Sequence, residues 1–204
     1  PLLRANTERL GGLSPILRTI RLFSVSDSES LGYTLQIGNI GFAFLDLADG
    51  VYQRINASAA DVALPNLLYL AFNSRTDNLK DAAVRRAIHL LTNRKAIAQT
   101  AFQGHATVTY TPFHPIKTAG YATEYSVDVP QATELLELAG FSKINDDGIR
   151  YSGWVNTLTL TLAVNADNPF KTAAAEQIAS DLLKAGIKVN IRALKSAEFL
   201  NTVA

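Results

Sequence analysis

Apolar residues fall along this chain in two rhythms, and the switches between them mark out its elements. The run LLYLAF at residues 67–72 is continuously apolar behind Pro65, the pattern of a strand covered on both faces. It ends at Asn73, and a polar loop leads to Asp81. That residue is a helix N-cap for Val84, Ala87, Ile88 and Leu91, which share one face at i, i+3, i+4 and i+7. Asn93 caps a second helix, which runs to about Gln103 and stops at Gly104. Upstream, ILRTIRLFSV at residues 16–25 is β-rich and closes on a Ser/Asp cluster, while IGFAFLDLA at residues 40–48 is apolar but of ambiguous type.

Downstream of Gly104, TVTYTPFHPIKTAGY predicts an extended loop, because each residue before a proline is pushed away from helix. Asp128 with Gln131 three residues on resembles a capping box for a helix carrying Leu135, Leu136 and Ala139. Gly140 stands where a left-handed residue ends such a helix, and Phe141 then folds back onto Leu136. DDGIRYSGWVNTLTLTLAV predicts a hairpin whose second arm alternates Leu158, Leu160, Leu162 and Val164 with threonines and Ala163. Asn168-Pro169 starts another helix, with proline at the tolerated first position and Ala175, Ile178, Ala179, Leu182 and Leu183 as its buried stripe. Gly186-Ile187 repeats the stop signal, and KVNIRA then alternates again through Val189, Ile191 and Ala193. Strand, helix and strand in that order predict a parallel pair joined by a right-handed crossover. The fold class is α/β, and with no internal repeat or low-complexity linker a single domain over residues 1–204 is the simpler expectation.

Composition narrows the classes without choosing among them. At 204 residues, 48% apolar and 18% charged, the chain belongs with globular proteins. A formal charge of +1, from 19 basic and 18 acidic residues spread along the sequence, gives no footprint for nucleic acid. No window approaches the length of a membrane span, and no signal peptide is visible. The absence of cysteine removes disulfides, thiolate metal sites and cysteine nucleophiles from consideration. Methionine is absent too and the chain opens on Pro1, so it reads as an internal fragment, and signals lost upstream say nothing about localisation.

A search for catalytic groups returns little. His89, His105 and His114 share no metal-ligand spacing, and His89 lies on the polar side of its helix. Asp146-Asp147 precedes Gly148 and reads as a turn, while GGLS near the start lacks the nucleophile-elbow pattern. Neither a P-loop nor a dinucleotide fingerprint is present. Arg85-Arg86 occupies a polar helix face and is expected to be solvated or salt-bridged. Nothing builds a nucleophile with its base, so no enzyme and no cofactor are expected.

Taken in order, the segments resemble the second lobe of an ABC-importer solute-binding protein of the peptide/nickel class, extracellular solute-binding family five. The resemblance is carried by LYLAFNSRTDNLKDAAVRRAIHLLTNRKAIAQTAFQG, by TPFHP and the GY that follows it, and by DVPQATELLELAGF. The hairpin, helix and strand from Gly153 to Leu200 complete it. It covers residues 67–200 closely and 16–48 more loosely, and it rests on the order of five motifs, since no single one is diagnostic. The chain departs from the family at Thr76-Asp77-Asn78, where prolines are frequent.

The resemblance implies a type II periplasmic-binding-protein lobe, a mixed sheet flanked by helices, that closes with a first lobe on a peptide or other small solute. It would then deliver that solute to a membrane ABC permease, outside the cytoplasm, in a periplasm or as a surface lipoprotein. Ligands of open α/β sheets lie at the carboxyl ends of strands. Asn73, Asn165 and Asn168 are therefore candidate ligand-binding amides, suited to a desolvated cleft because they donate and accept without carrying charge. Phe72, Phe113 and Phe170 would supply apolar wall. Five of the six have a plainer alternative: a turn or capping amide for Asn73, a helix cap for Asn168 and core packing for the three phenylalanines. A ligand-sensing domain of a transcriptional regulator with the same fold is the rival function, and an upstream helix-turn-helix would favour it. An enzyme completed by residues outside the chain is a weaker one.

Overall fold

A computed structural model describes residues 1–6, 16–25, 27–45, 58, 60–62, 64, 66–113, 125–153 and 156–203. The chain divides into two compact units. The first comprises Pro1–Asp46 with Val51–Ala60, and the second Leu47–Gly50 with Asp61–Ala204.

In the first unit, β1 (Leu2–Arg4) pairs antiparallel with β2 (Thr19–Arg21), placing Leu3 opposite Ile20. Helix α1 (Ser28–Gln36) follows, with the Asp27 carboxylate accepting the Ser30 N–H at 2.7 Å. The Ser/Asp cluster that closes the β-rich run is thus the cap of a helix that the apolar pattern alone does not announce. Leu2, Leu3, Ile20 and Phe23 are exposed, and Phe42 and Phe44 stand outside any regular element.

The second unit carries the core. Its helices are α2 (Asp77–Lys80), α3 (Ala82–Leu91), α4 (Arg94–Thr100), α5 (Val129–Leu138), α6 (Pro169–Leu183) and α7 (Ser196–Val203). A small antiparallel sheet is built from β3 (Lys143–Ile144), β4 (Arg150–Ser152) and β5 (Asn156–Thr157). A second sheet pairs β6 (Thr159–Asn165) with β7 (Lys188–Leu194) in parallel, from Thr159 opposite Lys188 to Asn165 opposite Leu194. Helix α6 is the connection between them, as the alternation of patterns predicts.

The helix signals hold because they are local. Asp81 accepts the Ala83 N–H at 2.7 Å, Asn93 that of Ala96 at 3.0 Å, and Asp128 that of Gln131 at 2.9 Å. Val84, Ala87, Ile88 and Leu91 all face the core, where they meet Leu136, Phe141, Leu158, Leu182 and Ile187. Gly140 and Gly186 take positive φ of 90° and 82° and end α5 and α6; Phe141 N–H then reaches Leu136 O at 2.9 Å, and Ile187 N–H reaches Leu182 O at 3.1 Å. The α6 stripe is corrected at one position: Leu183 faces solvent, and the buried place beside Leu182 belongs to Asp181. That carboxylate is satisfied by the Asn93 N–H at 3.2 Å, Gln177 Nε2 at 3.0 Å and Lys184 Nζ at 2.9 Å, so it fastens α6 to the start of α4.

Arg150 is a second buried ion among the described residues. Its Nε donates to Ala185 O at 2.8 Å and its Nη1 to Phe141 O at 2.9 Å, so one guanidinium caps the chain just beyond α5 and beyond α6. A Cβ at Gly186 would come within 2.8 Å of Arg150 Cγ, which adds close packing to the demand for positive φ.

Two strand expectations change. The predicted hairpin is present between β4 and β5, but its second arm breaks at Leu158 before β6 begins. Residues 67–72 form no strand: Leu67, Leu68 and Tyr69 are 42%, 51% and 74% exposed, and only Leu70 and Phe72 pack against the core cluster. Among the described residues no strand pairs with this run, so it has one covered side rather than two.

Candidate functional site

Because β6 and β7 are parallel, their carboxyl ends share one edge, and a hydrogen-bonded group of polar side chains gathers there. Ala166 N–H extends the ladder to Leu194 O at 2.7 Å. Asn165, the last residue of β6, is partly buried, and its Oδ1 accepts the Asp167 N–H at 3.0 Å. Its Nδ2 donates to Ser196 Oγ at 3.0 Å. Ser196 opens α7 and donates to Asp167 Oδ2 twice, from Oγ at 2.7 Å and from its backbone N at 2.9 Å. The backbone bond first, then the hydroxyl bond, and to a smaller degree the Lys195 charge hold the Asp167 carboxyl below the usual carboxylate range. The edge therefore carries an ionised carboxylate bonded to a helix start, with an amide beside it.

Asn168 lies three residues past Asn165 and is 3% exposed. Its Oδ1 accepts the Lys171 N–H at 3.0 Å, the helix-cap alternative raised by the sequence. Phe170, 5% exposed, stacks on Phe102 with centroids 6.1 Å apart, so it sits in packing on the first turn of α6. Asn73 belongs to a separate group. It is exposed, its Oδ1 accepts the Arg75 N–H at 3.1 Å, and its carbonyl accepts both the N–H and the hydroxyl of Thr76. That is a turn amide with an outward face. Phe72 is half-buried against the core, and Phe113 is 64% exposed in the chain that follows α4. The structure thus brings Asn165, Asn168 and Phe170 together around the β6–α6 junction and places Phe72 and Asn73 side by side elsewhere.

Several polar residues carry more than the sequence reading gave them. Asn78 donates from Nδ2 to both Thr157 O and Thr159 O at 3.1 Å, bridging α2 to the start of β6. This is the position at which the chain departs from the proline-bearing pattern. Arg85 Nη1 donates to Leu79 O at 2.6 Å and Lys80 O at 2.8 Å, a structural cap on α2 made to carbonyls and not to solvent or a carboxylate. The Asp146-Asp147 stretch is a turn as predicted, closed by Asn145 Oδ1 accepting from Asp147 and Ile149. His114 and the GGLS stretch lie outside the described residues. Among the described residues no three metal-ligating side chains come together, and no helix is long and apolar enough to cross a membrane.

The chain belongs to the bacterial extracellular solute-binding proteins of family 5, whose middle region it matches over residues 3–204. Its relatives include the oligopeptide-binding protein AppA of Bacillus subtilis, 27% identical over 92% of this chain and 35% of the relative. A probable ABC transporter-binding protein of Deinococcus radiodurans is 26% identical over 93% of this chain and 35% of the relative. The solved structure of B. subtilis AppA, in complex with a nonapeptide, superposes with a TM-score of 0.66 at 24% identity, covering 98% of this chain and 40% of that one. That likeness shows the fold, the α/β architecture of the periplasmic binding proteins. The chain spans about a third of the length of the curated relatives it matches.

Proposed function

We propose that the chain forms one lobe of the substrate-binding component of an ABC importer, working outside the cytoplasm, which holds an oligopeptide or similar small solute between two lobes. The closed form would present its solute to a membrane permease. The observation that carries this reading is the family match across residues 3–204, joined to a parallel strand pair whose carboxyl edge ends in Asn165. AppA, an oligopeptide-binding protein by name, supports the solute class. The ligand-facing residues proposed are Asn73 and Asn165 for polar contact and Phe72 and Phe113 for apolar wall. Asn168 and Phe170 hold the junction beneath Asn165 and bound the site from below. Binding of this kind needs no catalytic step.

Calorimetry of the protein from its complete reading frame against an oligopeptide library tests the proposal. Micromolar binding is expected there, and weak or undetectable binding by residues 1–204 alone, which supply half a cleft. Asn73→Ala, a change at an exposed turn amide, is expected to lower affinity about three- to tenfold with unchanged stability, the effect of one lost hydrogen bond. Micromolar affinity of the isolated chain, or no peptide binding by the complete protein, would overturn the reading.

A further inference from the structure

Residues 105–113, between the end of the α4 turn and Phe113, have no regular structure, yet histidines take part in two of their ties. At the first, Arg94 at the start of α4 donates from Nη1 to His89 O at 3.2 Å and Thr92 O at 3.4 Å, capping the end of α3. Its Nη2 lies 2.9 Å from His89 Nδ1. A guanidinium can only donate, so Nδ1 accepts and the imidazole is neutral, with its proton on Nε2. The Arg94 guanidinium stands over the Tyr110 ring, 5.9 Å from its centroid. Tyr125 closes the group, edge-on to His89 at 4.8 Å and 6.1 Å from the Tyr110 ring. At the second tie, His105 Nδ1 meets Asp61 Oδ1 at 2.8 Å.

The two ties differ in kind: a proton on His89 Nδ1 removes the acceptor that Arg94 uses and sets cation against cation, whereas the partner of His105 is a carboxylate. The charges that act on His89 are cationic, Arg94 on α4 and Arg86 on its own helix. Asp128, the carboxylate at the start of the neighbouring α5, is bonded to the Gln131 N–H.

We propose that His89, Arg94 and Tyr110 form an acid-released latch: protonation of His89 expels Arg94, Tyr110 loses its cationic partner, and residues 105–113 are left held through His105 and Asp61. Burial first, then Arg94 and Arg86, keep the His89 pKa below the ordinary imidazole value. The folded chain therefore takes up this proton later than the unfolded one. The latch contributes fully above the ordinary value of about 6.5 and is lost as pH falls through the lowered one. The proposal stands independently of which solute, if any, the chain binds.

Proton NMR of the full chain from about pH 7.5 to pH 5 tests it, following the three imidazoles and the rings of Tyr110 and Tyr125. His89 is expected to titrate below the ordinary imidazole value, with the Tyr110 and Tyr125 ring signals moving at the same midpoint. Amide exchange over residues 106–111, relative to α3, is expected to rise by up to about tenfold per pH unit below that midpoint. In His89→Gln, which keeps an acceptor for Arg94 but cannot take the proton, the tyrosine shifts and the exchange gain disappear. Tyrosine rings that ignore the His89 midpoint, or that follow His105 instead, overturn the latch. So does a His89→Gln chain with unchanged pH dependence. Should that variant fail to fold, the co-titration of the unaltered chain decides alone.

Discussion

Residues 67–72 and β6 are apolar runs of nearly equal length, and the structure treats them in opposite ways. The first is the more apolar, without a polar residue in six, and it is left unpaired with three of its five large side chains exposed. The second interleaves leucines with threonines, yet it pairs with β7 over seven residues, and Leu158 just ahead of it is fully buried. Hydrophobicity does not explain the difference, but supply of a partner does. Helix α6 returns the chain as β7 alongside β6, and the side chains that line β6 then have helices to pack against. No described strand comes back to residues 67–72. An apolar run states what a segment would bury, while the rest of the chain decides whether it is buried.

Leu158→Ala against Leu68→Ala separates the two runs most widely. The first empties a fully enclosed site and is expected to cost about 2–5 kcal/mol. The second trims an exposed side chain and is expected to stay within about 0.5 kcal/mol, with urea unfolding of both variants as the measure. Equal effects would mean that residues 67–72 are packed after all. Next in size is Asn78→Ala, because Asn78 ties α2, the helix that follows the first run, to the start of the second. Its Nδ2 holds the Thr157 and Thr159 carbonyls, while its Oδ1 is buried without a donor among the described residues. Loss of two hydrogen bonds, offset by relief of that acceptor, is expected to cost about 1–2 kcal/mol. Hydrogen exchange should show faster opening at the start of β6 than at its end. Smallest is the contrast between the amides that follow each run. Asn168→Ala removes a buried helix cap and is expected to cost about 1 kcal/mol, read as a lower midpoint of thermal unfolding. The change of Asn73 to alanine, at an exposed turn, should leave the midpoint in place.

What could be read from the residues alone was whatever depends on near neighbours. The caps at Asp81, Asn93, Asp128 and Asn168 each bond within three residues, and the stops at Gly140 and Gly186 follow from local backbone geometry. The parallel pairing was legible because the order strand, helix, strand admits few solutions. Asp181 and Arg150 were not, since a charge in a sequence reads as solvent-facing until the partners that satisfy it are placed around it. At the candidate site, Asn165 and Asn168 could be named from their position after a strand. Ser196, which bonds both Asn165 and Asp167, comes from 31 and 29 residues further along the chain and leaves no local mark. His89 looked like a surface residue for the same reason, because Tyr125 reaches it from a distant segment.

The arrangement around Arg150 makes the chain's smallest residue type a long-distance determinant. Adding one methyl group at position 186 would collide with the stem of that arginine, and the displaced guanidinium would let go of carbonyls that lie more than forty positions apart in the sequence. Two helices far apart in the sequence would unravel at their ends together. Their terminations are one cooperative event, governed from a sheet of three short strands.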